Sequence, residues 1–174
     1  MEISRKTVVI IFCAGLALIG VGVVFVYALD SDRCLARSWE GFIADIEDRN
    51  ASAAAGYLDG DYSDSWGYTQ QTLSSDLRRM MPAFSRLTLT LSDVTIDRNG
   101  ARAVISARVG MTAGGYGYVT DAARQINGLK EPFVLHWKRD GLLPWKWNVV
   151  RIEQAEFDAR RYGAGRSSPL SWPF

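Results

Sequence analysis

Residues that bind metals or form disulfides are scarce in this sequence, which contains two cysteines and one histidine. Cys13 falls within a long apolar stretch, so a disulfide inside the folded part is excluded, and Cys34 either pairs with a second chain or stays a reduced thiol. Two cysteines and one histidine supply too few ligands for a zinc site. The acidic residues between positions 59 and 64 lack the spacing and distal glutamate of a calcium loop. We therefore predict no metal and no cofactor.

An excess of charge of either sign is also missing. The formal net charge is +1, from 20 basic and 19 acidic residues; without Glu2, Arg5 and Lys6 at the start, each total is 18. A neutral chain lacks the basic surface with which nucleic-acid-binding proteins neutralise phosphates. The sequence therefore predicts no nucleic acid partner.

One long stretch carries no charge at all: residues 7–29, which are 23 residues long. As a helix it spans about 35 Å, enough to cross a hydrocarbon core of about 30 Å. Arg5 and Lys6 precede it and Asp30 follows, so the positive-inside rule predicts a cytoplasmic N-terminus. A cleaved signal peptide is the alternative and also exports the domain. We predict a single-pass protein of the inner or plasma membrane, with a cytoplasmic tail (1–6), a transmembrane helix (7–29), an extracytoplasmic, periplasmic domain (33–157) and an irregular tail (158–174).

Two further stretches have the apolar period of helices. Apolar residues from 35 to 46 recur every three or four positions, which predicts a helix with one buried face. We expect this helix to continue through the following alanines to about Tyr57. A second helix is expected from residue 69 or 72 to Met81, because Pro82 cannot continue it.

Farther along, the apolar period changes to two, as in half-buried strands. The first strand changes phase near Ser92-Asp93, which indicates a β-bulge, and Asn99-Gly100 marks a hairpin turn. Residues 110–130 read as a glycine-rich excursion with at most a short helical turn; no strand and helix flank its glycines, so they do not form a dinucleotide-binding loop. The third and fourth strands are expected at about 132–139 and 145–157. Helices followed by four antiparallel strands predict an α+β fold with the helices packed on one face of the sheet.

This order of elements resembles the nuclear transport factor 2-like superfamily, whose curved antiparallel sheet wraps around helices to form a cone with a cavity. The connector at 61–66 (DYSDSW) carries the resemblance, and 144–151 (PWKWNVVR) is similar to the closing strand. The resemblance covers roughly 33–157 and implies a cone-shaped domain that often dimerises through its sheet. The superfamily includes ketosteroid isomerase-like and SnoaL-like enzymes as well as non-catalytic modules, so the fold alone does not give the function.

Two side chains are candidates for catalysis. Asp61 lies among aromatic residues, where a carboxylate can move protons; alternatively, the acidic residues of this connector only make turns and helix caps. His136 can serve as a general base if it faces a cavity. In the alternation of the strand, however, it falls on the same face as Val134 and Lys138, which predicts that its side chain lies on the solvated face of the sheet. The aromatic residues expected to bind a ligand are Tyr57, Tyr62, Trp66, Tyr68 and Trp137.

No catalytic motif is present, so the leading hypothesis is a non-catalytic binding or adaptor module at the outer face of the membrane. It binds a protein partner or a small apolar ligand, or forms a homodimer, and tethering raises its effective concentration near other membrane components. Single-pass proteins of this architecture resemble inner-membrane components of type IV secretion machines. The alternative is an isomerase, cyclase or dehydratase acting through Asp61 or His136. A third hypothesis is a scaffold whose interior is filled by its own tryptophan and phenylalanine side chains.

Overall fold

The structure, a computed structural model, describes residues 31–141 and 145–157. Four strands form one antiparallel sheet in the order β1–β2–β3–β4, and the helices pack on it, so the α+β prediction is confirmed. In chain order the elements are α1 (Ser31–Glu47), α2 (Ala51–Ala55), α3 (Gln70–Met80), a 3-10 turn (Met81–Ala83), β1 (Phe84–Asn99), β2 (Arg102–Gly115), α4 (Val119–Asn127), β3 (Phe133–Arg139) and β4 (Trp147–Glu153).

The two terminal segments named from the sequence fall outside this description. The predicted transmembrane helix at 7–29 and the predicted tail at 158–174 both lie outside the described residues. Within 31–141 and 145–157, no helix is both long enough and apolar enough to cross a bilayer.

The first predicted helix is wrong at its C-terminal end, because the chain breaks into α1 and α2. After Glu47, Arg49 adopts a left-handed conformation with φ of +59°, which ends a helix. The Arg49 guanidinium donates hydrogen bonds of 3.1 and 2.9 Å to two backbone carbonyls at the start of β1. Asn50 then caps α2, since its side chain accepts from the Ala53 N–H at 3.1 Å. These polar contacts separate the two helices, and the alanines stay helical in α2.

The second helix, α3, agrees with the sequence prediction. Thr69 and Thr72 form a reciprocal capping box, in which each side chain accepts a hydrogen bond from the backbone N–H of the other. At the other end the helix gives way to a 3-10 turn that contains Pro82, which lacks the N–H that a continuing helix needs.

The first hairpin also forms as predicted. The pairing of β1 with β2 shifts between Ser92 and Thr95, and Asp93 takes φ of +52° there, so the β-bulge is confirmed. Gly100 has φ of +61° in the turn, a conformation that glycine adopts without steric cost. β1 therefore bends within its length before it returns as β2.

The glycine-rich excursion predicted at 110–130 is wrong, because β2 continues to Gly115 and α4 follows it. Gly115 permits a close approach: a Cβ atom there would lie 2.2 Å from the backbone oxygen of Ala83. The Asn127 side chain ties the end of α4 to β2, accepting from the Met111 N–H at 2.7 Å and donating to the Met111 carbonyl at 2.9 Å. A second small core forms beneath α4.

The last two strands differ in how well they were predicted. β3 matches the expected range within one residue, whereas β4 is shorter than the predicted 145–157. Gln154 ends it, because its side-chain oxygen accepts hydrogen bonds from the N–H groups of Glu156 and Phe157 at 2.5 and 2.7 Å. The chain turns there and leaves the sheet.

The main core lies between α1 and the inner face of the sheet. β2 contributes Ala103, Ile105 and Ala107, all at most 3% exposed, as the alternation of its sequence predicts. The larger side chains that complete this core are Leu35, Trp39, Phe42, Leu58, Tyr62, Leu135, Trp137, Trp147 and Val149.

Candidate functional site

Four aromatic rings pack in contact in the main core, between α1 and β3. Trp137 lies edge-on to Trp39, Phe42 and Tyr57, with ring centroids 6.5, 6.0 and 6.5 Å apart, and Phe42 lies 5.8 Å from Tyr57. Edge-on aromatic pairs contribute about 0.5–1.5 kcal/mol each beyond their burial. We call Trp39, Phe42, Tyr57 and Trp137 the inner aromatic cluster. Its rings fill the space between α1 and β3.

The local sequence explains how the inner aromatic cluster assembles. Trp39 and Phe42 are three residues apart and so share one face of α1, while alternation along β3 turns Trp137 inward. Gly41 makes room for Tyr57, since a Cβ atom at position 41 would lie 2.3 Å from the Tyr57 hydroxyl oxygen. Burial, with a smaller contribution from the Asp45 carboxylate, raises the pKa of Tyr57.

Packing holds the centre of this cluster more than hydrogen bonding does. Trp137 is 1% exposed, and its indole N–H has no hydrogen-bond acceptor within the described residues. A buried indole N–H without an acceptor costs about 1–3 kcal/mol. The ring contacts and the burial of Trp137 must therefore outweigh this cost.

The connector between α2 and α3 is organised around a buried carboxylate. Asp64 accepts hydrogen bonds of 2.9 Å each from the Tyr62 hydroxyl, the Trp66 N–H and the Tyr68 N–H. Burial, followed by the Asp64 charge, strongly raises the pKa of Tyr62. Burial, followed by the charge of Asp76, raises the pKa of Tyr68 to about 12. Asp64 therefore holds the turn together, and its oxygens are occupied.

The two catalytic candidates lie away from the inner aromatic cluster. Asp61 is exposed, and its backbone N–H donates to the side chain of Asp59 at 3.0 Å, a turn contact. His136 lies on the outer face of the sheet, as its parity predicts, with Nε2 3.5 Å from a Glu153 oxygen and a side chain 35% exposed. A catalytic role for Asp61 or His136 stays a prediction.

The five aromatic residues predicted to bind a ligand lie in different parts of the domain. Tyr57 and Trp137 belong to the inner aromatic cluster, Tyr62 is buried in the main core, and Tyr68 packs at its margin. Trp66 instead donates its indole N–H to the Phe157 carbonyl at 2.7 Å, and the two rings lie 6.1 Å apart. Their part in binding stays a prediction.

The structure adds a surface groove that the sequence reasoning missed. The groove is open to solvent, has a volume of about 480 Å³ and is lined by residues 48–52, Arg78, Met81, Pro82 and Phe84. We call it the turn groove, because the break between α1 and α2 forms one of its walls. Helical periodicity alone predicts no such break, so only the asparagine cap at position 50 hints at it. Within the described residues, no three His, Cys, Asp or Glu side chains come together as metal ligands.

Comparison with solved structures identifies the fold. The chain is similar to Bd1075 of Bdellovibrio bacteriovorus, with a TM-score of 0.54 and 13% identity over 71% of this chain, although it spans only 40% of that protein. It is similar to an NTF2-like protein of unknown function from Pseudomonas putida, with a TM-score of 0.50 and 12% identity over 68% of this chain and 80% of that one. A protein of the NTF2-like family from Streptomyces avermitilis, provisionally named a dehydratase, gives a TM-score of 0.52 and 12% identity over 69% of this chain and 91% of that one.

These likenesses support an NTF2-like fold for the described domain, as the sequence resemblance implied. No known family profile matches the chain, and no curated protein does. At identities of 12 and 13%, the three structures show the fold alone.

The close approach of Tyr57 to Gly41 predicts a non-additive pair of substitutions. Alanine normally stabilises a helix by about 1 kcal/mol relative to glycine, but Gly41→Ala should destabilise this protein by about 1–3 kcal/mol, because the new methyl group overlaps the Tyr57 hydroxyl. In a Tyr57→Phe background the same substitution should become neutral or stabilising. Urea denaturation of the four proteins measures this cycle. Equal effects of Gly41→Ala in both backgrounds would contradict the packing.

The buried tyrosines predict a loss of stability at high pH. The folded protein raises the pKa values of Tyr62 and Tyr68, whereas an unfolded tyrosine ionises near pH 10. Their contribution is therefore complete below about pH 10 and falls as the pH rises further, because the unfolded chain then binds fewer protons. Tyr62→Phe should flatten this fall, and Tyr116→Phe, at a residue 75% exposed, should not. Urea denaturation between pH 8 and 11.5 tests it, and identical profiles for both variants would contradict it.

Proposed function

We propose that this protein is a non-catalytic binding or adaptor module, anchored in a membrane by residues 7–29, whose partner is a protein bound on the outside of the extracytoplasmic domain. The observation that carries the proposal is the inner aromatic cluster. Trp137 and its three neighbouring rings fill the space between α1 and β3. The space that these rings occupy is not open to a substrate. A domain of this kind acts through its surface.

The placement of the polar side chains supports the same proposal. Asp64 uses its oxygens to hold the connector, and Asp59 accepts the Asp61 N–H. His136 lies on the outer face beside Glu153. A general base must come within hydrogen-bond reach of a bound substrate, and these groups are divided between the connector and the outer face of the sheet.

The turn groove is the surface we propose for the protein partner. Its lining combines Met81 and Phe84, which are 7 and 8% exposed, with charged side chains of both signs, Asp48, Arg49 and Arg78. Arginine, methionine and aromatic residues are enriched in protein interfaces. Arg49 is also held in place by its two hydrogen bonds to the start of β1, so a partner would meet a preorganised guanidinium.

A filled interior predicts how the protein responds to small apolar ligands. Indole should leave the melting temperature of the native protein unchanged, because the rings of the inner aromatic cluster fill the space between α1 and β3. Phe42→Ala should cost about 3–5 kcal/mol and leave a dry cavity, so this variant should be stabilised by indole. Phe42→Leu serves as the matched variant with a smaller cavity and a smaller response. Stabilisation of the native protein by indole would contradict the proposal and indicate an open ligand site.

The alternative is an enzyme of the isomerase, cyclase or dehydratase type that acts through Asp61 or His136. The similarity to the Streptomyces avermitilis protein, which is provisionally named a dehydratase, is the observation that favours this alternative. If the native protein dehydrates a hydroxylated aromatic or ketone substrate, Asp61→Asn should abolish turnover without changing the melting temperature. Asp121→Asn, at an exposed position of α4, should leave turnover unchanged. Retained turnover in Asp61→Asn would exclude Asp61 as the base, and His136→Gln would test the histidine in the same assay.

A further inference from the structure

Two hairpin turns meet at one end of the sheet. Arg102 of β2 pairs in register with Lys138 of β3, and the Arg139 N–H donates to the Ala101 carbonyl at 2.8 Å. The turn after β1 and the turn after β3 are therefore neighbours. We call the described residues of this region, 98–102, 138–141 and 145–146, the hairpin end of the sheet.

The first turn of α1 lies at the same end. Asp32 forms an ion pair with Arg98, four residues before Arg102. α1 begins at Ser31, only two residues after the uncharged segment 7–29 ends. The chain that leaves this segment thus enters the domain at the hairpin end.

The side chains of the hairpin end suit a lipid–water interface. Trp145 is 56% exposed, and tryptophan concentrates at the headgroup level of membranes because its ring is apolar and its N–H is polar. Arg102 and Lys138 are exposed and lie opposite each other, and like charges in such a cross-strand pair destabilise each other. Lipid phosphates would relieve this repulsion. Both side chains have long apolar parts, which can lie against the lipid while their charged ends contact the phosphates.

The acidic groups nearby offset only part of this positive charge. Asp140 pairs with Lys146 at 2.5 Å, and Asp32 pairs with Arg98. Asp97, exposed on β1, faces Val104 in register. No ion pair is found for Arg102 or Lys138 within the described part of the chain, and the Asp140 charge also attracts Lys138.

We propose that the hairpin end of the sheet rests on the membrane from which the chain emerges, with Trp145 inserted among the lipid headgroups and Arg102 and Lys138 contacting phosphates. This inference rests on the membrane anchor of the proposed function and adds the orientation of the domain relative to the membrane. The sheet then stands away from the bilayer, and the start of β1 and the end of β2 point away from it.

Tyr116 supplies a matched control at the opposite end. It is 75% exposed and follows Gly115, which pairs with Phe84 at the far end of the hairpin. β1 is 16 residues long, so at a rise of about 3.3 Å per residue the path along the strand from the turn at Gly100 to this end is about 50 Å. A membrane contact at one end therefore leaves the other end in water.

The experiment uses the full chain in vesicles of phosphatidylcholine and phosphatidylglycerol, with Cys13→Ala in every sample. A nitroxide label is placed at Ala101→Cys, in the exposed turn, or at Tyr116→Cys; Cys34 is 3% exposed, and a sample without an added cysteine measures its background. The label at position 101 should be several-fold less accessible to a nickel chelate than the label at position 116, and more accessible to oxygen. Trp145→Ser should shift the label at 101 towards water and leave the label at 116 unchanged.

An alkaline carbonate wash separates failure of this inference from failure of the proposed anchor. If the chain stays in the vesicles and the labels at 101 and 116 are equally accessible to the nickel chelate, the membrane orientation is overturned while the anchor stands, and exposed Trp145 then belongs to a contact with another protein. If carbonate releases the chain from the vesicles, the anchor is wrong and the orientation falls with it.

Discussion

The contact of Trp137 with the aromatic rings around it is the constraint on which the rest of this domain depends. Trp137 joins the sheet to α1 through Trp39 and Phe42 and to the end of the helical layer through Tyr57. Rings of this size contribute most of the buried apolar area where they meet, and close packing leaves little tolerance for change. The same contact that stabilises the fold fills the space between helix and sheet, and our proposal for function follows from this.

The connector and the turn groove are held by polar contacts instead of ring packing. Asp64 orders the connector by accepting three hydrogen bonds at once, which leaves its carboxylate as a structural group. Arg49, in contrast, breaks the helical layer and reaches the start of β1, so the turn groove exists because a helix that could have continued was interrupted. A partner that binds there would meet a rigid wall, since both ends of the turn are fixed by hydrogen bonds.

Features encoded by neighbouring residues were predictable from the sequence, and features that depend on distant contacts were not. The phase change at Ser92-Asp93 and the Asn99-Gly100 turn are local signals, and both formed as expected. The break at Arg49 depends on carbonyls 35 and 36 residues away. The glycines up to Gly115 read as a loop, yet they permit strand pairing and a close approach to Ala83. Sequence parity placed His136 and Trp137 on opposite faces, but the arrangement of the inner rings required the structure.

The most direct test of the central claim is a crystal structure of the protein under xenon pressure, because xenon enters apolar cavities of the size a small ligand needs. Our account predicts no xenon between α1 and β3, since the rings of Trp39, Phe42, Tyr57 and Trp137 fill that space. A xenon atom in contact with Trp137, or density there for a molecule retained through purification, would contradict it and make an internal ligand site the basis of function.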